Sequence, residues 1–515
     1  MVPDQKEVSN GTERRIKVAE ILVPDEAKTS SRIMIFLKAF IVGLASKVWK
    51  LLHKAWDIGV DDPRKVIHCL KVGIAVTVVS LFYYVYPLYD AFGEEDAIWA
   101  IMTVVVVFEN TVGGTVSKCL NRIGGTLLAG LLAMGIQWVA SIHWVASKSG
   151  NKTIELIING VAVFLLASLA TFSRFLPSVK ARFDYGAMIF ILTFSLVSVS
   201  GYHPENNDAA NNRISTILIG TVLCIIISIF VFPIWAGQDL HALIFCNIDK
   251  LADSLEGYVA EYFKDGDDLD DGDKECHKKL QGYKSVLSSK ATEDSLANFA
   301  RWEPGHGRFK FRHPWKQYIK VGESMRSCAH CIDALINGCI NSENHASEYL
   351  KKHISNICMK VSSYSSDVIR ELALTIKTMK KSSDIHILVG DMNDVAQVLQ
   401  VKLKVLPYLF IPPSKPEAAE TPESKTTEQQ PASKTVVTIM PIMGIIPLVT
   451  STSLLIEIVT RINGIVDAVE ELADLAGFKP ASNEKCGKDD QLNNNFLPDQ
   501  EKGKDNIKVF PLPPV

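Results

Sequence analysis

The chain has 515 residues, 47% of them hydrophobic, with a formal net charge of −3. Charge this small and mixed in sign excludes the basic footprint of a nucleic-acid-binding protein. The mean hydropathy of +0.14 conceals an uneven distribution. Apolar residues concentrate between about residues 70 and 235, and the remainder carries the charge of an ordinary soluble chain.

Residues 1–68 lack a basic segment followed by an apolar core and a small-residue cleavage site, so they are expected to remain, on the cytosolic side. Within them, 32–56 predicts an amphipathic helix with Lys47, Lys50 and Lys54 on one face. It reads equally as a helix lying on anionic lipid and as an ordinary basic juxtamembrane segment.

Six apolar stretches follow, near 69–86, 97–114, 120–141, 153–172, 185–201 and 213–235. Each is long enough, or nearly so, to cross roughly 30 Å of hydrocarbon as a helix. Small residues at Gly124, Gly125, Ala129 and Gly130 suit close helix packing in lipid. With a cytosolic N-terminus the inner loops hold Lys118, Arg174, Lys180 and Arg182, and the outer loops only Lys148 and Lys152. That is the bias that sets orientation. All ten cysteines fall in spans or inner segments, as expected of thiols kept in a reducing compartment. The fold expected is all-α, a six-helix membrane domain over 69–235 with both termini cytosolic.

Beyond 236 the chain turns soluble and helical. Residues 239–263, 317–341, 350–380 and 384–406 have helical periodicity, and 265–273 form an acidic loop. A helical cytosolic domain is expected over 236–410, then a disordered linker rich in Pro, Glu, Ser and Thr over 411–435. Residues 436–459 are apolar but interrupted by Pro441, Gly444 and Pro447. They read as a buried cytosolic helix rather than a seventh span, with an amphipathic helix beginning at Glu457. Residues 436–477 thus pack on the cytosolic domain, and 478–515 form a polar tail.

Charged residues inside a membrane are expensive and mark candidate sites. Arg122 lies just inside the third stretch and Arg213 opens the sixth. A guanidinium stays charged and grips a carboxylate with two parallel hydrogen bonds, so cations in a pore select anions. The alternative is that both side chains snorkel to the nearest interface. Glu109, at a depth similar to that of Arg122, reads as its charge partner or gate, or as a structural pair between helices. Lys118 belongs to an inner vestibule that concentrates anions, or else only enforces orientation.

The soluble half offers little for an enzyme. Cys328-Ala-His330-Cys331 lacks a second pair of ligands at zinc spacing. Neither a phosphate loop nor a nucleophile elbow occurs. No cofactor is expected. Asn151-Lys-Thr153 is a glycosylation sequon close to the membrane.

Several longer motifs carry a resemblance. They are Trp56-Asp-Ile-Gly-Val-Asp-Asp-Pro-Arg-Lys-Val-Ile-His68, Ala100-Ile-Met-Thr-Val-Val-Val-Val-Phe-Glu109, Asn121-Arg-Ile-Gly-Gly-Thr-Leu-Leu-Ala-Gly130 and Phe183-Asp-Tyr-Gly186. Phe232-Pro-Ile-Trp-Ala-Gly-Gln-Asp-Leu-His241, Tyr283-Lys-Ser-Val-Leu287, Trp302-Glu-Pro-Gly-His306 and Phe311-Arg-His-Pro-Trp-Lys-Gln-Tyr318 follow in order. Together the sequence resembles the plant aluminium-activated malate transporter family, well from Trp56 to Cys331 and loosely over the last helix.

The resemblance implies a plant anion channel for malate and other anions, built as a homodimer in lipid with six spans and a helical cytosolic domain. It places pore arginines at Arg122 and Arg213. It also makes Asp90, Glu205 and Asp208 the nearest counterparts of acidic residues that sense external aluminium in some members. Cys119 in place of Gly, and Asn110 in place of an aromatic, depart from the family pattern and bear on constriction and gating. The expected activity is passive malate efflux across the plasma membrane, with a vacuolar or other endomembrane as the alternative. Rival readings are a proton-coupled dicarboxylate transporter with Glu109 as proton carrier, and a membrane-tethered scaffold or sensor.

Overall fold

A computed structural model describes residues 26–85, 96–146, 152–200, 207–263, 279–340, 348–405 and 445–480. The acidic loop, the linker, Asn151, Asp90 and Glu205 lie outside these residues. The chain divides at Ile67 into two units. The first holds α1 (Glu26–Asp61), an uninterrupted helix on which Phe40, Leu44, Trp49 and Trp56 are exposed. It is longer than the predicted 32–56.

The second unit begins at His68, within α2 (Pro63–Tyr84). It continues through α3 (Asp96–Val107), α4 (Val112–Ala146), α5 (Lys152–Ser173), α6 (Pro177–Arg182), α7 (Asp184–Ser200) and α8 (Asn207–Phe230). Three described helical segments are long and apolar enough to cross a membrane: Val112–Val139, Leu156–Ser173 and Ile446–Ala476. Ile98–Val107, Asp184–Val199 and Ser215–Phe230 are shorter apolar helices.

One boundary differs from the sequence reading. The stretch predicted over 97–114 is helical only to Val107, and residues 112–114 already belong to α4. The break is built by threonines. The Thr111 hydroxyl accepts from the Gly114 N–H at 3.2 Å and caps α4, while the Thr115 hydroxyl accepts from the Glu109 N–H at 3.1 Å. These local bonds offer the backbone an alternative to a continuous helix inside an apolar run.

The helices that follow are α9 (Ala236–Tyr262), α10 (Gly282–Ser288), α11 (Lys290–Ala300), α12 (Trp315–Leu335), α13 (Glu348–Thr378), α14 (Ile385–Val405) and α15 (Ile446–Ala476). A π-helical turn, Ile336–Ile340, ends α12. Helices α9 and α12 pack together, with α13 on α9 and α15 on both α12 and α13. The shared core includes Leu240, Ile248, Leu255, Met325, Ile332, Val368, Leu372, Leu455, Ile462 and Val469. On α13 the buried residues Ile354, Cys358, Val361, Val368, Leu372 and Ile376 recur at helical spacing, which is the stripe that drives bundling.

Helix α15 is single and continuous from Ile446, so Glu457 does not begin a separate helix. Pro447 occupies its first turn, where a missing N–H leaves no bond unmade. Leu448, Leu455, Ile462 and Val469 are buried against the bundle, and the Tyr258 and Ser451 hydroxyls bond at 2.7 Å from α9. Gly477, at φ +67°, ends the helix in the left-handed conformation that glycine adopts without strain. Lys479 then pairs in parallel with Lys380, joining the ends of α13 and α15.

Two polar arrangements in the bundle have measurable consequences. Arg326 donates to the fully buried Glu293 at 2.6 Å, and Ser289 donates to the same carboxylate at 2.6 Å. Glu293→Ala leaves a buried guanidinium unpaired and is expected to cost about 3–5 kcal/mol. Thermal melts of the detergent-purified full chain, followed by a thiol-reactive dye on buried Cys328 and Cys358, check this.

The second arrangement is an aromatic cluster in which both His241 and His313 bond to the Tyr318 hydroxyl, at 3.0 and 3.3 Å. Burial holds each imidazole down to about 4, aided at His241 by the Arg308 charge and at His313 by the His241 charge. The unfolded chain binds protons at these residues below about 6.5, whereas the folded chain does not until about 4. Stability is therefore unaffected by them above that range, falls as pH drops through it, and levels below. At about 3 kcal/mol or less per histidine, His313→Leu should flatten the fall in melting midpoint between those pH values.

Candidate functional site

The motifs that stand far apart in sequence meet in space. Helices α4 and α7 cross where Gly125 faces Gly186, and a Cβ on Gly125 would lie 2.6 Å from the Gly186 carbonyl. The Asn121 amide fixes this crossing by donating at 3.0 Å to the carbonyls of Ser117 and Arg182. Asn121-Arg-Ile-Gly-Gly and Phe183-Asp-Tyr-Gly186 are thus two sides of one contact. It sets Arg122 beside Tyr185.

Arg122 is 6% exposed. Its guanidinium donates one hydrogen bond, at 3.3 Å, to the Tyr185 hydroxyl, and its Nε has no partner. No ion pair is formed by it among the described residues. Cys119, one turn earlier, is fully buried and donates through Sγ at 3.6 Å to the Thr221 carbonyl on α8. The thiol fills the contact between α4 and α8.

Glu109 pairs with Lys118 rather than with Arg122. Both side chains are about one-third exposed, 33% and 31%, and the Lys118 ammonium also lies 5.8 Å from the centre of the Tyr185 ring. Two cations therefore flank one phenol near the start of α4, and of the two Lys118 is the one paired with a carboxylate. Arg174 and Asp184 form a separate two-pronged pair, at 2.7 and 3.2 Å, that ties the end of α5 to the start of α7.

Arg213 and Asp208 belong to α8, and their side chains lie outside what the structure describes. A cavity of about 530 Å³ runs between α4, α5 and α7, but its lining, which includes Leu120, Gly124, Leu128, Leu166 and Phe190, offers an anion no charge.

One residue absent from the sequence-level candidates joins this region to the bundle. Glu303, buried, accepts from the Ala236 and Gly237 N–H groups at 2.6 and 3.1 Å, and from the Gly113 N–H. It thereby caps the N-termini of α9 and α4 together. Burial pushes its carboxyl up, while the three N–H groups and nearby His306 pull it back down. His306 stacks on Trp235 at 3.8 Å, so Trp302-Glu-Pro-Gly-His306 clasps Phe232-Pro-Ile-Trp-Ala-Gly. Gly113 must lack a side chain, since a Cβ there would sit 2.3 Å from the Phe299 carbonyl. The signal was legible only as two motifs; their meeting needs the fold.

In the helical bundle, Cys328 is fully buried and burial pushes its thiol up to about 12, while Cys331 is partly buried on the same helix. Both sit in the packing surface of α12.

Comparison with known proteins agrees with this arrangement of motifs. The family described as "Aluminium activated malate transporter" matches residues 56–436 and 413–473. Aluminum-activated malate transporter 10 of Arabidopsis thaliana is 49% identical over 496 residues, covering 93% of this chain and 95% of that protein. Aluminum-activated malate transporter 2 of the same plant is 43% identical over 435 residues, covering 84% of this chain and 79% of that protein. Aluminum-activated malate transporter 1 of Triticum aestivum is 38% identical over 452 residues, covering 86% and 90%. With its motifs brought together in one all-α membrane protein, the chain belongs to the aluminium-activated malate transporter family.

Proposed function

We propose that the chain is an anion channel that carries malate, and inorganic anions beside it, passively out of a plant cell across the plasma membrane. The observation that carries this reading is Arg122: a permanently charged guanidinium, buried, held by one neutral hydroxyl and, among the described residues, free of any carboxylate. A charge so placed is expensive unless an anion visits it. The relatives' names supply the anion.

Six spans are formed by α2, α3, α4, α5, α7 and α8, with the two shorter apolar helices α3 and α7 accommodated by flanking residues. The burial of α15 in the bundle core supports its placement in the cytosol despite its apolar length. Two copies of the chain then line one pathway with paired Arg122 and Arg213 side chains. Lys118, balanced by Glu109, stands at the cytosolic entry, and the bundle dimerises and gates through the Glu303 junction. Asp90, Glu205 and Asp208 are the acidic residues of the outer mouth.

Malate carries two charges at cytosolic pH, so an inside-negative potential of 100 mV favours its exit by about 4.6 kcal/mol, at ~2.3 per charge. No proton need be coupled. Arg122 lowers the cost of stripping water from a carboxylate, and a charge-assisted hydrogen bond of about 2 kcal/mol corresponds to more than about tenfold in occupancy. Arg122→Ala is therefore expected to cut whole-cell malate current by about tenfold or more at unchanged surface delivery. Current equal to wild type in a delivered variant would overturn the assignment. A reversal potential that follows the malate gradient and ignores pH separates the channel from a proton-coupled carrier.

A further inference from the structure

Lys71 was not a sequence-level candidate, because it stands only two residues inside the expected first span, 69–86. In the structure it lies two turns inside α2, which begins at Pro63. Its side chain is 1% exposed, among the largest fully buried side chains of the chain. Among the described residues of 68–230, Lys71 and Arg122 are the charged side chains that are buried, and both are cations.

Beyond Lys71 the same face of α2 is apolar. Ala75 and Val79, one and two turns further along α2, join a cluster with Val104, Phe108, Cys119 and Cys224. Cys119 is one turn from Arg122 on α4. His68, one turn before Lys71, lies against Phe108 with ring centres 6.1 Å apart, and Glu109 follows Phe108 in the chain. Lys71 thus faces the interior at the end of the bundle where Arg122, Lys118 and Glu109 stand.

Counting charges decides what that means. Lys118 and Glu109 cancel. Among the described residues no carboxylate and no hydrogen-bonding group meets the Lys71 ammonium, and none but the Tyr185 hydroxyl meets Arg122. One charge from each leaves the interior two positive charges in excess. An uncompensated ammonium on a buried side chain is disfavoured, and buried cations are retained when a partner of opposite charge arrives.

We propose that Lys71 is a second anion-binding residue of the pathway, which with Arg122 favours dicarboxylates over monovalent anions. The proposal rests on the channel reading above and adds its selectivity. A monovalent anion needs one cation and a dianion needs two, so removing one of the pair weakens the dianion more. Both cations are covered in the conformation described, as in a closed pathway, and opening exposes them to the permeating ion.

The test compares the full chain with Lys71→Met, which keeps length and apolar volume but removes charge, and with Lys71→Arg. Malate and chloride currents are recorded in the same patches, with surface protein quantified. Lys71→Met should lower malate current about tenfold and chloride current much less, so that the malate-to-chloride permeability ratio falls, and Lys71→Arg should restore the ratio. An unchanged ratio in Lys71→Met overturns the proposal, as does equal loss of both currents in both variants, the mark of a structural role. If Lys71→Met is not delivered, melts of the purified proteins replace currents: malate should raise the wild-type midpoint more than chloride does, and Lys71→Gln should abolish that difference. A Lys71→Gln protein that retains it overturns the proposal. Wild type that passes no malate at all defeats the channel reading first, and separates the two failures.

Discussion

The carboxylate of Glu303 is the constraint on which the arrangement depends. A helix leaves its first N–H groups without intrahelical partners, and a buried helix start must find acceptors. Here the starts of α4 and α9 converge, and one buried carboxylate serves both. The positive ends of two helices and three N–H groups give that carboxylate the surroundings a buried charge needs. Because α4 carries Lys118 and Arg122 while α9 opens the helical bundle, the same side chain fixes the origin of both. The glycines at 113 and 237 follow from it: each start must approach its neighbours without a side chain, against the Phe299 carbonyl and the Trp315 ring.

From this junction the charged site is built by helix crossing rather than by loops. Small residues let α4 and α7 meet backbone to backbone, and Asn121 locks their register. Arg122 then has its place decided by residues on either side of it. Countercharge is sparse around Arg122: among the described residues one phenol lies between two cations, and one carboxylate serves Lys118. Such sparseness keeps the interior apolar enough for each remaining charge to matter.

Much of the helical content was legible in the sequence. Apolar length marked the membrane helices, and periodic stripes marked the bundle helices, because burial acts through those two signals. What was hidden has physical reasons. The break at residues 108–111 lies inside a continuous apolar run and depends on threonine hydroxyls, whose bonding depends on backbone geometry. Pro447 looked like an interruption, yet it occupies a first turn, where proline is harmless. Glu109 was read against Arg122 by depth alone, and the rotation of α4 gave it Lys118. Lys71 was masked by its position at the border of an apolar stretch, since helix and hydrophobic run do not start at the same residue. The alignment of Trp302-Glu-Pro-Gly-His306 with the helix starts needed contacts across 66 positions or more.

The central place of α15 sets an order of events during synthesis. Its buried face completes a core whose other helices, α9, α12 and α13, lie far upstream. Until residue 476 has left the ribosome, those helices expose the apolar stripes that α15 will cover. The bundle therefore matures after synthesis of the chain is almost complete, and an intermediate with uncovered apolar surface persists meanwhile. A chain ended before Ile446 would keep its membrane helices and its arginines, and hold that intermediate permanently.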